Sequence, residues 1–242
     1  MSALRLPTRH DEDYRYADLA ALERAWPVAV ETVAVGAGES RALSLTLDGD
    51  TEVRELAIAL ADDAVLDLRA LNLAKVYGRL SLRVTLGARA RFTFGAAQVG
   101  SDGATLEVVS HVEHTAPDAV SRQVVRSVLG RQATGTYLGK VRVAPGADGT
   151  DGEQSVRAML LDPTATANAK PELEIHADDV KCAHGCAVGE LDAGALFYMA
   201  ARGLPPAEAK RLMLQAFLAE AFVGADDEEA LDAAALAALE AL

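Results

Sequence analysis

The sequence predicts a mainly β protein with a helical C-terminal appendage, and three observations carry that reading. From Val28 to about Val188 the chain divides into short β-type runs separated by Gly, Asp and Asn. VAVETVAV, LSLTLDG, VRELAIAL, AVLDLRALNL, LSLRVTL, RFTFG, TLEVVSHVEH, RQVVRSVL, GTYLGKVRV and SVRAMLL are each about one strand long. No helical pattern of about 10–15 residues stands between them, which excludes a βαβ sheet. Beyond residue 190 the texture changes to apolar stripes at helical spacing.

The chain therefore reads as an N-terminal helical segment (1–27), a β core (28–189) and a C-terminal helical subdomain (190–242). In the first, Tyr16, Leu19, Ala20, Leu22 and Trp26 recur at near-helical spacing, and Pro27 ends a short amphipathic helix packed on the core. Many even, short strands suit a sandwich, a barrel or a β-solenoid, and no strict repeat distinguishes them. In HVEHTAPDAVS, strand alternation puts His111 and Glu113 on one side and His114 on the other, so no ligand triad forms and structural histidines are expected. PGADGTDGEQ, 145–154, has the wrong spacing and the wrong terminal Glu for a calcium loop and is expected to be a turn. In the last segment Gly203 and Pro205-Pro206 separate two helices, Gly224 closes the second, and four carboxylates, Asp226–Glu229, open a third where the helix dipole favours them. Their plainest role is to cap the open end of the β core.

The stretch richest in chemistry is 170–189, KPELEIHADDVKCAHGCAVG, which holds both cysteines of the chain, with one of its five histidines between them. Leu173 and Ile175 alternate as in a half-buried strand. In extended backbone Cys182 and His184 project from one side, about 6–7 Å apart. A thiolate beside an imidazole suits iron, an Fe–S cluster, zinc or copper. On the spacing alone, a buried thiol beside a hydrogen-bonded histidine is the favoured reading. Gly185 is expected to break the strand, which leaves the part of Cys186 open.

Residues 170–213, KPELEIHADDVKCAHGCAVGELDAGALFYMAARGLPPAEAKRLM, are similar to the C-terminal signature of the SufB/SufD family of Fe–S cluster assembly scaffolds, in its SufD branch. Ser121-Arg122-Gln123 with Arg126, GRQATGTYLGKVRV (130–143) and ATANAKPELEIHADDV (165–180) resemble the family's core segment, and LPTRHDEDYRYADL (6–19) resembles its N-terminal box. Two places depart from the pattern. The family's AQKTDGEQ and following Asn-rich stretch are replaced around Asp148-Gly149 and Ser155-Val156-Arg157, and the strands begin directly after the N-terminal box, as in a compact form.

The resemblance implies a right-handed parallel β-helix-like core and a non-catalytic scaffold role. It also implies a heterodimer with a SufB-type paralogue, self-pairing of the isolated chain, and docking of a SufC-type ABC ATPase on the C-terminal helices. The docking candidates are Leu196, Phe197, Tyr198, Arg202, Leu212 and Phe217. His184 and Cys182 become the candidate metal or cluster positions at the partner interface, with Cys186 weaker. No cofactor is expected to be tightly bound in isolation, only a transient Fe–S cluster shared with the partner. Two alternatives remain. One is a β-solenoid enzyme acting on polysaccharide, which the 5% aromatic content and single Trp disfavour. The other is a zinc domain using Cys182, His184, Cys186 and His176.

Composition narrows the classes further. A net charge of −13 argues against nucleic acid as the main partner. No apolar run approaches the ~20 residues a membrane span needs, none resembles a signal peptide, and two cysteines four positions apart do not make a disulfide framework. A cytoplasmic protein is expected. No Walker A loop, dinucleotide Gly motif, GxSxG elbow or HExxH is present, so no catalytic residue is expected.

Overall fold

A computed structural model describes residues 5–242. Among these residues twelve strands, β1 (Val30–Val35), β2 (Ser40–Leu47), β3 (Thr51–Leu60), β4 (Val65–Asn72), β5 (Tyr77–Leu86), β6 (Arg91–Gly100), β7 (Thr105–His114), β8 (Val120–Leu129), β9 (Thr134–Val143), β10 (Asp151–Leu160), β11 (Thr166–Ile175) and β12 (Lys181–Gly189), follow one another without an intervening helix. Odd strands form one six-stranded sheet, β1-β3-β5-β7-β9-β11, and even strands the other, β12-β10-β8-β6-β4-β2. All pairings are parallel, so the chain winds as a β-solenoid of about six turns, one strand per sheet in each turn.

The absence of a visible repeat has a physical reason. Val30 pairs with Glu55, Val65 with Arg91, Thr105 with Thr134 and Thr134 with Thr166, so successive coils run 25, 26, 29 and 32 residues. The strands stay in register while the corners change length. One corner nevertheless repeats its geometry, with Gly38, Asp63, Arg89, Asp118 and Gly149 all at positive φ. Each donates its backbone N–H to the corner of the next coil: Gly38 to Asp62 O, Asp63 to Ala88 O, Arg89 to Pro117 O, Asp118 to Asp148 O and Gly149 to Asp179 O. Three of these five positions are not glycine, so turn chemistry read for Gly alone passes over the column.

Alternation fills the space between the sheets. Leu56, Ile58, Leu60, Leu66, Leu68, Leu82, Val84, Phe92, Phe94, Val112, Val125 and Val141 form the continuous buried core. Gly95, where the sequence suggests that a strand stops, lies inside β6, and a Cβ there would stand 1.7 Å from the Ala221 carbonyl oxygen. The glycine therefore marks the close approach of the turn that follows a C-terminal helix. Likewise the predicted turn at 145–154 ends at Thr150, and Asp151–Gln154 already belong to β10.

The N-terminal box straps the outer face of the odd-strand sheet. A 3-10 turn (Glu12–Tyr14) leads to α1 (Leu19–Ala25), which Asp18 caps by accepting from the Ala20 and Ala21 amides, 3.0 Å each. Arg79 and Glu107, 1% and 0% exposed at their side chains, pair at 2.9 Å beneath it, and Arg79 also reaches Asp13 O at 2.9 Å. Outside, His111 meets Asp13 at 2.9 Å, whereas His114 points into the core and meets Ser121 Oγ at 2.9 Å, as alternation predicts.

Three helices complete the described chain: α2 (Ala193–Ala201), α3 (Pro206–Ala219) and α4 (Glu228–Glu240). They do not cap the open end of the solenoid. Leu214, Leu218, Phe222, Leu231 and Ala235 instead pack flat on the outer face of the even-strand sheet, against Leu71, Ala97, Val99 and Val128. No helix among the described residues is long and apolar enough to cross a membrane.

Candidate functional site

The candidate residues collect at the outermost strand of the even sheet. β12 pairs only with β10, in register from Asp151↔Lys181 to Met159↔Gly189. Gly185 does not interrupt it, because a parallel ladder needs only extended backbone there and Gly supplies that. Cys182, His184 and Cys186 therefore share one face, the inner one, opposite Gly152, Gln154 and Val156 of β10. The sequence expectation for Cys186 is corrected accordingly: it continues the same row.

That row closes nothing. Up to β9 the inner face is sealed, but β11 and β12 are mostly half-exposed or exposed, since no further rung covers them among the described residues. Cys182 is half-buried against the core, and burial pushes its thiol up, away from the thiolate form. Cys186 and His184 are exposed. A groove of about 400 Å³ runs along the β10–β12 pair between Glu153–Arg157 and Ala183–Ala187. Among the described residues no three His, Cys, Asp or Glu side chains are placed to hold a metal ion. His176, the fourth member of the zinc alternative, sits past the end of β11 and pairs with Glu174 at 2.9 Å. What the strand offers is an incomplete ligand set on an open edge.

The second group of candidates divides. Phe197 is 77% exposed and Tyr198 59% exposed on α2, where Arg202 lies 4.8 Å over the Tyr198 ring, and Leu212 is exposed on α3. Leu196 is half-buried. Phe217 turns the other way, into the helix–sheet cluster, with the Arg126 guanidinium 5.8 Å from its ring. It is part of the packing that attaches α3.

Sequence reasoning quoted Arg126 without giving it work. From β8 it holds Glu220 Oε2 at 2.9 and 2.7 Å, Ser155 O at 2.8 Å and Ser155 Oγ at 3.0 Å. Arg69 on β4 holds Ala221 O at 2.7 Å and Val223 O at 3.0 Å. Two guanidinium groups thus grip the C-cap carboxylate of α3 and the carbonyls of the turn that follows it, at the end where the helix dipole favours positive charge. Ser155 lies directly beside Gly185 of β12, so this joint connects α3 to the strand that carries the cysteines and His184. The signal was available only as Arg on the outer side of a strand, and its partner is 94 residues away.

Comparison with known proteins agrees with this architecture. Residues 39–217 match the family model described as SUF system FeS cluster assembly, SufBD core domain. The chain belongs to the SufBD family. It is similar to the iron-sulfur cluster assembly protein SufD of Escherichia coli (35% identical over 117 residues, 48% of this chain and 28% of the relative). It is also similar to a SufBD family protein of Synechocystis (31% over 174 residues, 71% and 38%) and to SufD of Bacillus subtilis (31% over 121 residues, 50% and 28%). The matched regions span well under half the length of these relatives.

Proposed function

We propose that this chain is a SufD-type, non-catalytic scaffold subunit for Fe–S cluster assembly. Its β12 edge pairs with a SufB-type paralogue, and its α2–α3 surface docks a SufC-type ABC ATPase. The observation that carries the reading is the end of the even sheet, where Cys182, His184 and Cys186 lie in a row on an edge strand paired on one side. An edge of free backbone N–H and C=O groups is a template for strand addition. A partner strand placed there sets its own side chains next to His184 and supplies the ligands the row lacks. In this scheme the cluster is cargo, assembled between two chains and released.

His184 is the better ligand of the three. It is exposed and needs no large rearrangement to present a ring nitrogen, and imidazole replaces thiolate on cluster iron with a rise in potential. Cys182 serves chiefly as packing, with its thiol half-buried. On the helices, Phe197 and Tyr198 are the aromatic anchors that interfaces favour, and Arg202 over the Tyr198 ring adds a positive rim.

The test is reconstitution with the paralogue and the ATPase. His184→Ala is expected to lower cluster content to background while the complex still elutes intact on size exclusion. Phe197→Ser with Tyr198→Ser is expected to weaken ATPase binding by about 2 kcal/mol or more, roughly thirtyfold in Kd, with pairing to the paralogue kept. Full cluster content in His184→Ala within an intact complex removes that residue from the reading. Unchanged ATPase affinity in the double variant removes the docking surface.

A further inference from the structure

One buried side chain beside the candidate row has no partner at all. Gln154 is 1% exposed, yet neither Oε1 nor Nε2 makes a hydrogen bond. A buried polar group left unpaired costs about 1–3 kcal/mol, so an amide with both ends idle calls for a partner. Register supplies the neighbours. Gln154 stands between Gln123 on β8 and His184 on β12, all three on the inner face. Gln123 is anchored through its Oε1, which accepts from the Ser110 hydroxyl at 2.7 Å and, more weakly, from the Tyr137 hydroxyl at 3.3 Å, while its Nε2 also makes no hydrogen bond. Side chains stacked in register on neighbouring strands lie about 4.8 Å apart at their backbones, the spacing at which amide ladders form along a sheet.

We infer that Gln154 is the positioning residue for His184, its side-chain carbonyl accepting the imidazole N–H so that the other ring nitrogen presents its lone pair at the open edge. The inference rests on the reading of His184 as a ligand and adds the group that orients it. Gln154 is buried and His184 is exposed on the neighbouring strand in register with it, so the ring is the freer partner of the two. A histidine that binds metal donates its second ring N–H to an acceptor of this kind, which fixes both the tautomer and the direction of the lone pair. Gln154 is a neutral acceptor. It orients the ring without adding a charge to the site, which suits a ligand that must release its cargo.

The test uses the isolated full chain first, with ¹⁵N-labelled histidine and NMR detection of the His184 ring nitrogens. In the wild type one neutral tautomer is expected to dominate. Gln154→Met keeps the length and removes the acceptor, and is expected to return the ring to the mixed tautomers of a free imidazole. Gln154→Glu keeps an acceptor and is expected to retain the single tautomer. In the reconstituted complex Gln154→Met is expected to lower cluster content by about tenfold or more, and Gln154→Glu to restore most of it. Thermal melts on each variant check that the fold is retained. Tautomer populations that are the same in the wild type and in Gln154→Met overturn the proposal, as does full cluster content in Gln154→Met. Full cluster content in His184→Ala removes the ligand reading instead, and the tautomer measurement still decides the Gln154 pairing.

Discussion

The middle coils and the last one are built from the same ladder but do opposite things with it. Around β4 to β9 every inner residue has a rung on both sides, and Phe92, Phe94, Val112, Val125 and Val141 are all but inaccessible. On β11 and β12 the alternation continues through Ala169, Leu173, Cys182 and His184, and none is fully buried. The lesson is that in a solenoid burial is a property of position along the stack as much as of residue type. The same face is a core in one coil and a recognition surface in the last.

The largest effect that bears on this contrast is a paired truncation. Phe94→Ala is expected to cost about 3–5 kcal/mol and Leu173→Ala no more than about 2, measured by chemical denaturation of the isolated chain. Equal costs would mean that the last coil is as sealed as the middle ones. Next comes pH. Burial pushes the His114 imidazole down to about 4, from an ordinary value of 6.5. Between those two values the unfolded chain holds a proton that the folded chain refuses, so stability is lost as pH falls from 6.5 to 4. The loss is about 3 kcal/mol, and His114→Gln is expected to remove most of it. An unchanged pH profile in that variant would place the sensitivity outside the sealed coils. The smallest effect is at the joint. Glu220→Gln leaves the Arg126 guanidinium bonded to Ser155 and Val125 carbonyls, so it is expected to cost only about 1–2 kcal/mol. It is also expected to speed hydrogen exchange in β10 and β12 more than in β4 or β6. Uniform exchange would detach the joint from the open coil.

Much of the architecture was legible because strand alternation is local. VRELAIAL, LSLRVTL and TLEVVSHVEH became β3, β5 and β7, with His111 and His114 on the opposite sides that alternation requires. The stacking of those strands was not legible from the residues alone. Coil length varies at the corners, and the left-handed corner position is filled by Gly, Asp or Arg alike. Glycine misled twice in the same way. Gly95 and Gly185 read as strand breakers, but one accommodates the Ala221 carbonyl and the other simply extends. Of the site, Cys182 and His184 were visible as a shared face. Gln154 was hidden in a polar run that reads as a turn, and its relation to His184 exists only through the pairing of β10 with β12. Phe217 was named among the docking candidates, because helical spacing alone does not say which of two apolar flanks meets the sheet.

The single neighbour of β12 has a thermodynamic consequence. Stacked coils behave nearly as a one-dimensional array, in which each unit is stabilised by its own folding and by the interface to either side. A unit in the middle has two such interfaces, β2 and β12 have one each, and of these two edge strands only β12 has no fully buried residue. Its local opening is therefore the lowest-energy excursion of the even sheet, and fraying begins there. A strand added by a partner becomes the next unit of the array, so association and the quenching of that fraying are one event. The heat and entropy of complex formation then include the ordering of 181–189, and affinity depends on how often that strand is already in place.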